Sequence, residues 1–86
     1  MIYLAIINGN TNICENVTSD TRPLNEIILP PPYFAVDLAN TPAIDWIWSN
    51  ELNDWYEREF IGNGGIGDVW NGQKLVQPKP EYAGNA

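Results

Sequence analysis

The sequence predicts a mostly β fold, a small single domain of short antiparallel hairpins with extended proline-rich segments. Three observations support this prediction. Short apolar runs rich in β-branched and aromatic residues are separated by Asn-Gly turn signals. The chain has 7 prolines and 7 glycines that interrupt these runs, which disfavours long helices. The length of 86 residues suits one domain, which we place at residues 1–76, followed by an extended C-terminal arm at 77–86.

The first expected element is an N-terminal hairpin. Ile2–Ile7 is rich in β-forming side chains, and Asn8-Gly9 lies between this run and the apolar run Ile13–Val17. Because Asn and Gly tolerate the positive φ that a type I′ turn requires, we expect a tight turn at Asn8-Gly9. Cys14 is the only cysteine, and its place in a strand-like run indicates a small core residue.

Prolines divide the middle of the chain. Glu26–Leu29 has the composition of a short strand, which Pro30-Pro31-Pro32 would end in polyproline II geometry. Tyr33–Val36 then resumes an extended apolar run. The prolines and Tyr33 also match the P-P-x-Y pattern that WW domains bind. The flanking Leu29 and Phe34 are apolar, which favours a packed edge or a contact between subunits.

Residues 43–60 fit two structures. In a hairpin, Asp45–Trp48 would pair with Trp55–Arg58 across Ser49–Asp54, a loop that contains mostly Ser, Asn and Asp. These loop residues are poor in helix interiors and the aromatic flanks suit strands, so we prefer the hairpin. The alternative is a short helix within 43–58, whose apolar stripe would consist of Ile44, Ile47, Trp48, Leu52, Trp55 and Tyr56.

The last expected element is a second Asn-Gly hairpin. Ile66–Trp70 and Gln73–Val76 would pair across a tight turn at Asn71-Gly72. The preceding run from Gly62 to Gly67 matches the dinucleotide pattern G-x-G-x-x-G, which requires a helix to open on the glycines. A hairpin and prolines follow instead, so we interpret the run as a structural turn.

Charge and composition exclude several functions. The chain has 4 basic and 11 acidic residues, a net charge of −7, which argues against binding nucleic acid or an anionic membrane. It has no histidine to activate a serine and too few His or Cys to build a zinc site. We therefore predict no enzyme activity, no cofactor and no metal. The apolar start has no basic leader and is too short to span a bilayer, so we expect a soluble protein made in a cytoplasm.

Acidic residues concentrate between positions 43 and 60. Five carboxylates lie there beside the single base Arg58: Asp45, Glu51, Asp54, Glu57 and Glu59. Their spacing matches neither a calcium-binding loop nor a recognisable pair of hydrolase carboxylates. We expect them to form a solvated or partner-facing acidic surface.

Three segments resemble small structural proteins of tailed bacteriophage virions. Ala5–Ile13 resembles their opening hairpin, and Trp46–Trp55 is similar to a tryptophan-flanked turn seen in phage structural proteins. Ile66–Leu75 followed by Gln77–Pro80 resembles their ending, although Lys74-Leu75 stands where Thr-Phe is usual. The resemblance implies a non-enzymatic virion protein, either a head decoration (cement) protein or a small tail or fibre-associated component.

The resemblance also implies the partners. They would be a phage capsid or tail protein and further copies of this chain, and the location would be the virion. The residues that we expect to contact these partners are prolines and aromatic residues, which anchor many interfaces. They are Pro30, Pro31, Pro32, Tyr33, Phe34, Trp46, Trp48, Trp55, Trp70, Pro78, Pro80 and Tyr82. The alternative function is that of an acidic phage-encoded inhibitor that binds a host nucleic-acid-binding protein.

Overall fold

The computed structural model describes residues 1–81, which form strands and two short 3₁₀ turns. The strands are β1 (Ile2–Asn8), β2 (Ile13–Asp20), β3 (Tyr33–Asp37), β4 (Pro42–Ser49), β5 (Asp54–Ile61), β6 (Val69–Trp70) and β7 (Leu75–Val76). The 3₁₀ turns are Leu24–Glu26 and Leu38–Asn40. The predicted mostly β fold is confirmed. None of the helical segments in this range is long and apolar enough to cross a membrane.

One seven-stranded sheet contains all of these strands, in the order β3-β1-β2-β6-β7-β4-β5. Adjacent strands are antiparallel except β4 and β7, which are parallel. The long hairpins β1–β2 and β4–β5 lie in different halves of the sheet, and the two-residue strands β6 and β7 join them. The result is an elongated molecule with dimensions of 47 × 25 × 19 Å.

The buried core lies where the two halves of the sheet meet. Its members are Ala5, Ile7, Cys14, Leu38, Ala43 and Leu75, against which Val17, Phe34, Val36 and Trp70 pack. Cys14 is fully buried and burial raises the pKa of its thiol, which confirms the expected core role. Leu75 pairs with Trp70 on one side and with Ala43 on the other, and so connects the two hairpins.

The N-terminal hairpin is confirmed, but the predicted tight turn at Asn8-Gly9 is wrong. Asn8 pairs with Ile13, so the loop has four residues, and the positive φ falls on Asn12 at 60°. Gly9 has a different role: its N–H donates to the carbonyl of Pro32 at 3.0 Å, and a Cβ on Gly9 would lie 2.6 Å from that oxygen. Position 9 therefore requires glycine, because the Pro32 carbonyl lies too close to the backbone there to leave room for a side chain.

The proline segment also differs from its prediction. Leu24–Glu26 is a single 3₁₀ turn and no strand forms at Glu26–Leu29. The three prolines do not continue as polyproline II, because the Tyr33 N–H donates to the Pro30 carbonyl at 3.0 Å and closes a turn in which the Pro31–Pro32 bond is cis. This turn reverses the chain so that Tyr33 can pair with Asn8 as β3 begins.

The preferred hairpin over residues 43–60 is confirmed, with Asp45 opposite Arg58 and Trp48 opposite Trp55. The alternative of a helix within 43–58 is wrong. The Ser49 hydroxyl accepts a hydrogen bond from the Leu52 N–H at 3.2 Å, and Asn53 adopts a φ of 52°. Polar side chains thus build the loop through local hydrogen bonds and positive φ, as their turn preferences predict.

The C-terminal hairpin is present, but its strands are only Val69–Trp70 and Leu75–Val76, and its turn lies one residue later than predicted. Asn71 and Lys74 pair through backbone N–H···O at 3.1 Å, which places Gly72 and Gln73 in the centre of the turn, and Gly72 has a φ of 98°. The Asn71 side chain accepts hydrogen bonds from the N–H groups of Gln73 and Lys74 at 2.9 and 2.7 Å. Asn71 therefore acts as an Asx-type acceptor that stabilises the loop.

We predict that Gly9→Ala lowers the free energy of unfolding by about 1–3 kcal/mol, because the new methyl group would displace the Pro32 carbonyl. Gly65→Ala is the matched control, since a Cβ at Gly65 meets nothing within 4 Å. Urea denaturation of both variants measures the effect. Equal stability of the two would contradict the close contact between Gly9 and Pro32.

A second prediction concerns pH. Asp68 is 7% exposed, and burial raises the pKa of its carboxyl, helped by the charge of Asp45 and opposed by a hydrogen bond from the Gly65 N–H. The folded state therefore binds this proton more tightly than the unfolded state. This tighter binding of the proton by Asp68 stabilises the folded state. The contribution is complete below the ordinary carboxyl pKa of about 3.9, and it is lost as pH rises through the folded-state pKa.

Asp68→Asn removes the charge and keeps an oxygen for the Gly65 N–H, which donates to Asp68 Oδ2 at 2.9 Å. We expect the variant to gain stability relative to the natural chain as pH rises from about 4 to about 6. Denaturation midpoints across this range measure the difference. A difference that stays constant or shrinks would show that Asp68 is not destabilised by its burial.

Candidate protein-binding face on the β4–β5 hairpin

The outer part of the β4–β5 hairpin extends away from the core. Ala43 is the one buried residue in the two strands, and β5 forms an edge of the sheet. β4 pairs with β7 only at Ala43 and Ile44, so beyond these positions the two strands pair mainly with each other. Two strands alone are marginally stable in water, so side-chain pairs across the hairpin must contribute.

The strand register places three tryptophans on one face of this hairpin. Residues that face each other across antiparallel strands share a side of the sheet, and the side alternates along each strand. Trp46, Trp48 and Trp55 therefore lie together, with Ile44, Glu57 and Glu59 on the same side. We call these six residues the tryptophan face. The opposite side carries Asp45, Ile47, Tyr56 and Arg58.

Trp48 and Trp55 form the outermost pair of the tryptophan face. Their rings meet edge to face, with centroids 5.5 Å apart and planes at 75°. The Trp48 indole N–H donates to the Asn50 side-chain oxygen at 2.9 Å, which ties the ring to the loop. Both side chains are only half-buried. This pair therefore stabilises the hairpin and leaves aromatic surface accessible.

The beginning of the C-terminal segment lies against Trp46. The Trp46 backbone N–H donates to the side-chain oxygen of Gln77 at 3.1 Å, and its indole N–H donates to the Gln77 carbonyl at 2.8 Å. Gln77 in turn donates its N–H to the Ile44 carbonyl at 2.9 Å. Lys79 then places its ammonium 5.4 Å from the centre of the Trp46 ring. Residues 77–79 thus run along β4. Contact of the C-terminal arm with a neighbouring protein subunit stays a prediction.

Carboxylates form the other half of the tryptophan face. Glu57 lies opposite Trp46, and Glu59 lies opposite Ile44. Glu59 forms an ion pair with Lys74 at 2.9 Å, between side chains that are 46% and 36% exposed. The Glu57 side chain is exposed and forms no ion pair with any residue between 1 and 81. The face therefore combines aromatic rings with negative charge, which together attract cations.

The predicted contact residues do not form one surface. Pro30, Pro31 and Pro32 precede β3, at the opposite edge of the sheet from β5. They lie at the end of β3 away from the Leu38–Asn40 turn, which leads directly from β3 into β4. The prolines and Tyr33 adjoin a cleft of about 370 Å³ between the 24–29 segment and β3, whose lining residues are Leu24, Ile27, Ile28, Leu29, Tyr33, Phe34 and Ala35.

The remaining predicted residues have other surroundings. Trp70 and Phe34 pack against the core, so each contributes to folding. Pro78 is exposed and Pro80 is half-buried, next to the segment that contacts Trp46. Tyr82 lies outside the described residues. The sequence-based prediction missed Gln77 and Lys79 as neighbours of Trp46, because only the parallel pairing of β4 with β7 brings them there.

Two kinds of reactive group are absent from this face among the described residues, a free thiol and a cluster of metal ligands. The one thiol, on Cys14, is buried elsewhere, and no three His, Cys, Asp or Glu side chains within residues 1–81 are placed to hold a metal ion. What the face offers is aromatic area flanked by carboxylates. Partly exposed aromatic area is the property that this face shares with surfaces that bind protein.

We predict that Trp48→Ala weakens the outer hairpin by about 0.5–1.5 kcal/mol, because the edge-to-face pair with Trp55 is lost. Leu52→Ala in the loop is the matched control, since Leu52 is 67% exposed. Amide hydrogen exchange measures the effect: amides of residues 47–56 should exchange faster, while those of β1 and β2 should not change. Uniform acceleration throughout the sheet would contradict a local role for the pair.

Comparisons with known proteins give no relative from which function can be transferred: no family model, no curated protein and no solved structure matches the chain.

Proposed function

We propose that this chain is a non-enzymatic structural protein of a bacteriophage virion that binds a larger phage protein. The role we assign is that of a capsid decoration (cement) protein, with a small tail or fibre-associated component as the other virion position. The resemblance of Ala5–Ile13, Trp46–Trp55 and the C-terminal segment to phage structural proteins motivates the virion assignment. The tryptophan face is the observation that supports a binding role.

Three properties of the hairpin suit docking onto protein. It extends from the core, so it can reach a partner while the rest of the sheet stays folded. Its tryptophans are half-buried in the free chain and would lose further apolar area on contact. Tryptophan is also the side chain most enriched among residues that dominate binding energy.

Charge is consistent with the same role. A net charge of −7 favours a basic protein surface as the partner and disfavours nucleic acid and anionic lipid. The chain has only 4 basic residues, and Lys74 and Lys79 both lie at the tryptophan face. Arg22 is paired with Asp20 at 2.7 Å.

The test is the copy number of this chain in purified particles of the phage that encodes it, by quantitative mass spectrometry against the major capsid protein. A decoration protein should be present on the order of hundreds of copies, and a tail component at about six or twelve. Incorporation of the Trp48→Ala variant should fall, while Leu52→Ala, which changes only the loop, should be incorporated normally.

Absence from purified particles would overturn the proposal. If the absent chain also bound a host nucleic-acid-binding protein in a salt-sensitive manner, the result would support the inhibitor function instead.

A further inference from the structure

The tryptophan face repeats one arrangement along the hairpin, an aromatic or apolar residue on β4 opposite a carboxylate on β5. Ile44 faces Glu59, and Trp46 faces Glu57. The outermost row holds Trp48 opposite Trp55, and Glu57 lies two residues from Trp55 on the same side of β5. A ring face beside a carboxylate is a favourable position for a cation, because the ring quadrupole and the negative charge act in the same direction.

The chain's own lysines show that this face accommodates cations. The Lys79 ammonium lies 5.4 Å from the Trp46 ring centre, and the Lys74 ammonium lies 2.9 Å from a Glu59 oxygen. Lys79 therefore contacts an aromatic ring of the face, and Lys74 contacts a carboxylate. Both belong to the segment that follows β6 and runs beside β4.

The outer part of the tryptophan face also combines aromatic rings with a carboxylate, and this carboxylate is not paired with a cation from the described residues. Within residues 1–81, Glu57 has no ion-pair partner, and it is exposed. The half-buried Trp48 and Trp55 rings meet at 75° rather than stacking flat. Glu57 therefore provides a negative charge next to partly accessible indole surface.

We propose that Trp48, Trp55 and Glu57 bind an arginine side chain from an extended segment of the partner protein. This inference rests on the proposed function and names the chemistry of the partner. Arginine fits better than lysine because its planar guanidinium stacks on indole while its N–H groups reach a carboxylate. An extended segment fits because the chain's own residues 77–79 run along β4 and place a cation over a ring in this way.

The binding test uses the full chain and two synthetic peptides. One is a seven-residue extended peptide with a central arginine between threonines, and the other has glutamine in place of the arginine. The measurement is nuclear magnetic resonance of the tryptophan indole N–H signals during titration. The arginine peptide should shift the signals of Trp48 and Trp55 and leave that of Trp70, which packs against the core, unchanged.

Two charge-matched variants separate local recognition from general attraction to an acidic protein. Glu57→Gln removes the carboxylate of the proposed site, whereas Glu26→Gln makes the same charge change in the 3₁₀ turn before β3. Glu57→Gln should weaken binding of the arginine peptide about fivefold. Glu26→Gln should leave the affinity within a factor of about two, since it touches only the long-range field.

Equal binding of the two peptides, or equal effects of the two variants, would overturn the inference. If the chain is found in particles and Glu57→Gln is incorporated as well as the natural chain, the inference fails and the proposed function stands. If the arginine peptide binds as expected but the chain is absent from particles, the arginine site stands and the virion role fails.

Discussion

The packing of Leu75 between the two long hairpins is the contact on which the rest of this structure depends. Leu75 is fully buried, pairs with Trp70 within the C-terminal hairpin and lies beside Ala43 of β4 in parallel register. The chain passes so close above it that a Cβ on Gly64 would lie 2.5 Å from a Leu75 methyl carbon. β2 and β6 pair at one ladder position, Ile13 with Val69, and Cys14 exchanges backbone hydrogen bonds with Gly67 and Asp68 at 2.8 Å. The packing around Leu75 adds buried apolar contact to these hydrogen bonds at the junction of the two halves of the sheet.

This arrangement concentrates burial at the junction and leaves the outer β4–β5 hairpin with little core of its own. Beyond Ala43 that hairpin relies on cross-strand pairs, of which Trp48 with Trp55 is the outermost aromatic one. The same rings that stabilise the hairpin are therefore the rings that a partner would cover. A small domain with few buried residues gains stability when such surface is covered, which links the fold of this chain to its proposed binding role.

Local patterns predicted the β4–β5 hairpin well and two of the turns poorly. The loop after Trp48 is built from residues whose side chains make local turns, so the pairing of Asp45–Trp48 with Trp55–Arg58 was readable from the sequence. The sequence suggested that Gly9 is needed for a tight turn. Glycine is instead needed there because the carbonyl of Pro32, which is distant in the chain, leaves no room for a Cβ. The proline segment folds into a turn because β3 must pair with β1, and no local preference encodes that pairing.

The sequence by itself determined the two long hairpins and the alternation of side chains along their strands, because that alternation is a local property of the backbone. That alternation puts Trp46 and Trp48 on one side of β4. Only the tertiary structure decided that Gln77 and Lys79 meet Trp46, and that the Pro30–Phe34 segment lies at the far edge of the sheet. Strand order depends on which surfaces bury one another across the whole chain, and that choice is made by long-range packing around Leu75.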